Sequence, residues 1–279
     1  MAATTSTTLD DLFANIILQA RFTAEEQSIM LGLVTNYNIG AQAGKTIQVP
    51  KYPSIAAADL TEGTDMSSTT VSTSSVTATI KEVGAQVLLT DVARMGAGNP
   101  AVELGTVLGN SIAKKMDQDL IALFDGFSTS IGGAGTELTI DNIFKAVATL
   151  RQANVPAPYF GVFNPKVIYN VKKSLTNTFV NPNAGDLQNE AMRTGFIGEI
   201  AGVRIFESSN VDGTTDTDNC KGAVFSQDAL GLAMMQDLKI ESQRDASLRA
   251  DEIVATAVYG VGELHDSYGI EMLNESVIN

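Results

Sequence analysis

Between Gly98 and Phe127 an apolar residue returns at every fourth position: Leu104, Leu108, Ile112, Met116, Leu120 and Phe124, with Val107, Ile121 and Leu123 beside them. Residues four apart share one face of an α-helix. The stretch therefore predicts a single long helix with a continuous apolar stripe, at about 1.5 Å of length per residue. Asn99 suits the N-cap and Pro100 the first helical position. Gly105 and Gly109 sit four apart inside it. Each costs roughly 0.8–1 kcal/mol relative to alanine, so close approach or bending is expected there.

Little of what precedes this helix can bury itself. In the first forty residues, TSTTLDDLFANIILQARF predicts a short amphipathic helix, with Leu9, Leu12, Phe13, Ile16 and Ile17 at helical spacing and Thr7 or Thr8 as cap. From residue 44 to 91 the period changes to two. Ile47 and Val49 alternate with polar residues before Pro50 and Pro53, and Val76, Ala78 and Ile80 alternate after a Ser/Thr-rich run that starts at Val71. Thr, Val and Ile favour a pleated surface, and the Gly63 region favours a turn. The expected element is a long two-stranded hairpin with a polar tip. An isolated hairpin is at best marginally stable in water, so something outside it must hold it.

Two further helices follow the long one. TIDNIFKAVATLRQANVP places Ile140, Ile143, Phe144, Val147 and Leu150 on one face and stops before Pro156. NPKVIYNVKKSL repeats the Asn-Pro start at Asn164 and Pro165, with Val167, Ile168, Val171 and Leu175 inward. Between them YFGVF, 159–163, reads as a buried strand. Strands are expected at 202–208, 222–226, 238–242 and 252–264, the last with Ile253, Ala255, Ala257, Tyr259 and Val261 on one face and Val254, Thr256 and Val258 on the other. TNTFVNPNAGDLQNEAMRTG and VDGTTDTDNCKG read as loops. Arm, hairpin, long helix, mixed block and closing strands make an α+β chain.

Hydrophobic residues form 44% of the 279 and charged residues 18%, which is a globular composition. The net charge of -14 opposes nucleic-acid binding, which depends on lysines and arginines neutralising phosphates, and leaves no polybasic membrane anchor. The single cysteine, Cys220, cannot form an internal disulfide. The N-terminus lacks the basic segment and apolar run of a signal peptide, and no stretch approaches the ~18 apolar residues of a membrane span. A soluble protein made in a cytoplasm is expected.

Gly195, Gly198 and Gly202 in MRTGFIGEIAGVRIFESSNV invite comparison with a phosphate loop. Their spacing is G-x-x-G-x-x-x-G and a strand pattern follows, whereas a dinucleotide fingerprint needs G-x-G-x-x-G opening a helix. The glycines read as turns leading into the strand at 202–208. Cys220 and His265, the only Cys and His, could pair as nucleophile and base with Asp266 orienting the imidazole. Cys220 sits in a polar loop pattern, however, and His265 near the chain end reads as a surface or interface residue. Two such ligands do not make a zinc site. The loop at 212–219 lacks the ligand ladder, central Gly and closing Glu of an EF-hand, although a weak cation site there stays open. Met234 and Met235 read as packing residues. No residue is assigned as catalytic, cofactor-binding or metal-binding, and no cofactor is expected.

Taken together the segments resemble the major capsid proteins of tailed bacteriophages, with the Hong Kong 97-like fold shared with encapsulins and herpesvirus floor domains. GVFNPKVIYNV looks like the strand-Asn-Pro-helix element of that family's A domain, IGEIAGVRIFESSNV like its glycine-rich lead into a strand, and LKIESQRDASLRADEIVATAVYGVGELHDSYGIEML like its closing P-domain strands. The resemblance implies an N-terminal arm at 1–41, an extended loop at 42–84, the first part of a P domain with a spine helix at 85–128, an A domain at 129–240 and P-domain closing strands at 241–279. It implies a structural protein rather than an enzyme, assembled in the host bacterial cytoplasm into a shell of hexamers and pentamers that encloses double-stranded DNA. An acidic coat fits this, because it would not hold DNA fast. A portal, a decoration protein and a scaffolding protein are the implied partners, and no membrane is.

Some members of the family join subunits covalently through a lysine in the extended loop and an asparagine in the P domain. SIAAADLTEGTDMSSTT has no lysine and SLRADEIVATAV no asparagine, so covalent cross-linking is not expected here. Since the chain opens directly on the arm, a separate scaffolding protein is expected. An encapsulin-like compartment shell is the alternative within the same fold. A tail-tube or fibre protein fits the acidic, strand-rich composition but not the spine helix, and a hydrolase built on Cys220 and His265 is the enzyme alternative.

Overall fold

The structure, a computed structural model, describes residues 29–40, 44–52, 71–91, 101–177, 198–211 and 219–275, with single positions between 55 and 70. The expected arm helix, the Asn99–Pro100 start, Gly195 and the loop at 212–218 lie outside the described residues.

Eleven strands and three α-helices are placed among the described residues. Strands β1 (Thr35–Asn38), β2 (Thr46–Lys51) and β3 (Ser74–Thr90) come first, followed by helix α1 (Ala101–Ile121), which tightens into a 3₁₀ turn at Ala122–Gly126. Strand β4 (Ser130–Glu137), helix α2 (Ile140–Gln152), strand β5 (Tyr159–Phe163) and helix α3 (Pro165–Asn177) come next. The chain closes through β6 (Glu199–Ile200), β7 (Val203–Glu207), β8 (Asn219–Ser226), β9 (Leu230–Asp245), β10 (Ala250–Glu263) and β11 (Gly269–Glu275).

These strands form two sheets. The first runs β1-β9-β10-β3-β2 and the second β4-β11-β8-β5-β7-β6. In the first, β1 lies parallel to β9 and every other pair is antiparallel, with Lys81 opposite Tyr259 and Val83 opposite Ala257. The predicted hairpin is thus real, but β3 continues past it and pairs along Thr79–Thr90 with β10. That continuation is the outside support the hairpin requires. The predicted break at residue 84 falls inside β3, and that at residue 240 inside β9.

The apolar stripe of α1 does what its spacing demands. Leu108, Ile112, Met116 and Leu120 are buried, with Phe124 one turn on, against Val83, Ala85 and Val87 of β3 and Ile253, Ala255, Ala257 and Tyr259 of β10. Gly105 and Gly109 are buried in the same helix. Val107 departs from expectation and is 58% exposed. At 100° per residue it lies on the far side of the helix from Ile112. Phe144 departs likewise at 54%, because Ile143, Ala146, Val147 and Leu150 fill the buried arc of α2 and Phe144 falls outside it.

Helices α2 and α3 cover one face of the second sheet. Thr139 caps α2 by accepting the Asn142 N–H at 3.3 Å, and the Asn164 carboxamide oxygen accepts the Lys166 N–H at 2.9 Å at the start of α3. The opposite face of that sheet packs onto the end of α1, where Phe225 lies 5.5 Å from Phe124 and 6.4 Å from Phe160 between ring centroids. Gly198 (φ +68), Ala201 (φ +57) and Gly202 (φ +84) bend the β6–β7 hairpin. Of the three glycines that invited a phosphate-loop reading, Gly198 and Gly202 therefore shape a turn into β7.

Candidate assembly surfaces

The β2–β3 ribbon reaches beyond the sheet that anchors it. Strand β2 pairs with Ser74–Thr79 only, and β10 joins β3 from Thr79 onward. Past Lys51 and Ser74 the ribbon has neither sheet nor helix beneath it among the described residues, and Tyr52 (72%), Ile55 (59%) and Val71 are left exposed. Side chains of that size gain roughly 1.5–3 kcal/mol each on full burial, which this chain does not supply. Asp59, Glu62 and Asp65, around the turn at Gly63 (φ +82), are exposed as well.

A charged clasp fixes the root of this ribbon. The Asp119 carboxylate on α1 takes Lys81 Nζ of β3 at 2.7 Å, Lys115 Nζ at 3.1 Å and the Tyr259 hydroxyl of β10 at 2.6 Å. Burial opposes the charged carboxylate, but the hydrogen bonds from Lys81, Tyr259 and Lys115 outweigh it, so Asp119 titrates below the ordinary aspartate range. Burial first, and then the same carboxylate, push the Tyr259 phenol far above its usual value. Sequence spacing reveals only the Lys115–Asp119 pair, at i and i+4. The other two partners come from strands whose register no local pattern discloses.

The far end of the same sheet carries a second ion cluster. The Arg244 guanidinium on β9 grips Asp91 with two 2.8 Å contacts and reaches Asp251 at 3.2 Å. Asp91 sits just past β3 and Asp251 on β10, so one side chain ties three consecutive strands at their ends. Beyond it the β9–β10 turn closes on Asp245, whose carboxylate accepts from Ser247 Oγ, Ser247 N and Leu248 N and is held below the aspartate range by those bonds. Leu248 at the tip is exposed.

Besides the crossing through α1, the chain passes between its two sheets through two neighbouring turns. The 3₁₀ turn Gln227–Ala229 joins β8 to β9, and Asp266–Tyr268 joins β10 to β11. The Ala229 carbonyl accepts Leu264 N at 2.7 Å and His265 N at 3.1 Å, while Asp266 accepts Ser128 N at 2.7 Å and Ser128 Oγ at 2.5 Å. His265 stacks on Tyr268 at 4.5 Å, and burial together with Lys51 lowers its basicity against the pull of Asp228. Burial and Asp266 raise the Glu263 carboxyl, with Lys51 opposing.

Cys220 corrects the loop expectation: it lies in β8, buried, opposite Asn274. His265 lies beyond the other end of that strand pair, where Phe225 meets Gly269. Five or more strand residues at about 3.3 Å each hold the two apart, so no nucleophile and base meet. Asp266 does not orient the imidazole, since its carboxylate is engaged by Ser128. Met234 packs against the first core, and Met235 is half-buried. No three His, Cys, Asp or Glu side chains converge as a metal site among the described residues. No helix among them is long and apolar enough to cross a membrane.

Residues 72–270 match the model of a family described as phage capsid protein. Among solved structures the chain is similar to the capsid of the cyanophage P-SCSP1u, at 20% identity over 88% of each chain and a TM-score of 0.69. It is also similar to Mycobacterium phage Che8, at 22% identity over 82% of this chain and 84% of that one, with a TM-score of 0.67. An encapsulin complex from Synechococcus elongatus shares the fold at 13% identity, 90% and 88% coverage and a TM-score of 0.64. No curated protein sequence matches it. The α+β architecture is that of the Hong Kong 97-like shell proteins.

Proposed function

The chain belongs to the phage capsid protein family and is a major capsid protein, and on that premise we propose that its copies close as hexamers and pentamers into an icosahedral shell around the double-stranded DNA of a tailed phage. The observation that supports this best is the β2–β3 ribbon, with Tyr52, Ile55 and Val71 exposed on an element its own chain leaves uncovered. Neighbouring subunits are the partners that cover it. The net charge of -14 suits a shell that holds DNA by enclosure rather than by grip.

In this proposal the arm is 1–41, the extended loop 42–84, the P domain 85–128 with 241–279, and the A domain 129–240. A separate scaffolding protein, a portal and a decoration protein are its partners, and the shell is built in the host bacterial cytoplasm before it becomes the virion capsid. Negative-stain electron microscopy of the full chain, expressed alone and with its scaffold, tests the reading. Closed shells or capsomer rings are expected. Compact monomers that never assemble would sink it, and shells that hold a protein cargo in place of DNA would move the chain to the encapsulin-like compartments.

A further inference from the structure

We propose that the cleft between helix α1 and the loop after β7 binds an acidic peptide segment of a separate protein, through a single carboxylate. The site belongs to the lone subunit and holds whether or not shells form. The cleft measures about 450 Å³ and has three walls. Asn110 and Lys114, one helical turn apart, come from α1, and Glu207 to Asn210 come from the end of β7 and the loop beyond it. Ile29, which leads into the 3₁₀ turn Met30–Gly32, supplies the third.

One buried carboxylate holds the three walls together. Asp117 of α1 is fully buried and accepts Ile29 N, Met30 N and Asn210 Nδ2, each at 3.4 Å. The loop is tied again from its other side. Ser208 Oγ accepts Asn210 N at 3.2 Å, and the Phe163 carbonyl accepts Ser208 N at 3.0 Å. Asn164 Nδ2 donates to the Val211 carbonyl at 2.6 Å. A cleft fixed at so many points is preorganised, so a ligand meets little cost of ordering its walls.

Its polar groups are mostly donors left unused. Lys114 and Ser209 are exposed and make no hydrogen bond or ion pair among the described residues, which leaves an ammonium, a hydroxyl and a backbone N–H in the wall. Asn110 turns its Oδ1 inward, buried and without a partner, so Nδ2 is the end it offers to the cleft. Glu207 is the one carboxylate in the wall, and Lys172 of α3 takes its Oε1 at 2.6 Å, leaving Oε2 as an acceptor. Several donors, one acceptor and the apolar Ile29 match an acidic residue in a peptide, which brings a carboxylate, a backbone N–H and a flanking side chain. One unpaired ammonium answers one carboxylate. Nucleic acid needs several cations at once and meets a chain of net charge -14, so it does not fit this site.

Amide NMR of the isotope-labelled, full-length chain as unassembled subunits tests the site with two blocked peptides, acetyl-Leu-Glu-Ala-amide and acetyl-Leu-Gln-Ala-amide. The glutamate peptide should shift the Ser209 and Asn210 amides with a Kd on the order of 1 mM. The glutamine peptide should bind about tenfold more weakly, through loss of the charged contact. Lys114→Ala, at an exposed helix position that folding tolerates, should weaken the glutamate peptide about tenfold and leave the glutamine peptide unchanged. Equal binding of the two peptides, or full affinity in Lys114→Ala, overturns the proposal. Inorganic phosphate that gives the same shifts at a lower concentration than the glutamate peptide also overturns it, by making the cleft a site for free phosphate. Shifts of these amides on raising the chain concentration without peptide would assign the cleft to a second copy of the chain, and the proposal fails.

Discussion

All five residues of β5 are buried, whereas along the seventeen of β3 every second side chain from Glu82 to Thr90 faces solvent. Strand β5 is flanked on both edges and β3 on one edge at a time, and their sheets are used differently. The second sheet is covered on both faces, by α2 and α3 on one side and by the end of α1 with its phenylalanine cluster on the other. Its central strands β5 and β8 are therefore buried almost throughout, and β5 reads as an unbroken apolar run. The first sheet is covered by α1 on one face, and its strands β2 and β10 and the Glu82–Thr90 part of β3 alternate. One sheet completes its burial within the chain, and the other keeps a face, an edge and a ribbon for contacts that a single subunit lacks.

Substitutions sharpen this contrast, beginning where burial is complete. A Cβ at Gly269 would stand 2.1 Å from the Phe127 ring, at the seam between the second sheet and α1. Gly269→Ala should cost about 3 kcal/mol, read as a loss of urea midpoint in the unassembled chain. A small effect would mean that the seam is looser than the packing implies. Tyr259→Phe removes one donor to Asp119 and should cost about 1.5 kcal/mol.

That clasp also has a pH signature. A carboxyl lowered in the folded state stabilises the protein above the ordinary aspartate range and loses that contribution as pH falls through its lowered value. Glu263 has the opposite sign. Its raised carboxyl favours the folded state most below the ordinary glutamate value and costs stability as pH rises through the folded one. Glu263→Gln should therefore raise the melting temperature at neutral pH and change it little below the glutamate range. Equal effects at both pH values would assign its role to packing. At the smallest end, Leu88→Ser on the open face of β3 should move subunit stability by about 0.5 kcal/mol or less. A larger loss in the lone subunit would show that this face already has cover.

Local pattern disclosed the elements that bury themselves locally. The stripe from Leu104 to Phe124, the run at Tyr159–Phe163 and the Asn164–Pro165 helix start were all legible, because each is set by period or by a cap within a few residues. Strand β4 was not legible. Its Gly132, Gly133 and Gly135 suit a loop, and only parallel pairing with β11, some 140 residues on, makes it a strand. The first half of β9 was missed for the same reason, since GLAMMQD shows no clean alternation until β1 and β10 flank it. Cys220 looked like loop because its N-terminal neighbours are polar, although β11 takes it into a sheet. The clasp on Asp119 was half visible: the helical spacing gives Lys115, while Lys81 and Tyr259 arrive only through the β3–β10 register.

That register also has a schedule. Val83 pairs with Ala257, a residue made about 170 positions later. At about 5–20 residues per second of synthesis, β3 waits on the order of 10–30 s for its partner. Throughout that interval the half of β3 beyond Thr79, which β2 does not reach, is out of the ribosome without its β10 partner. Neighbouring nascent chains on one message carry the same strand in the same condition, so mispairing between them competes with the native register.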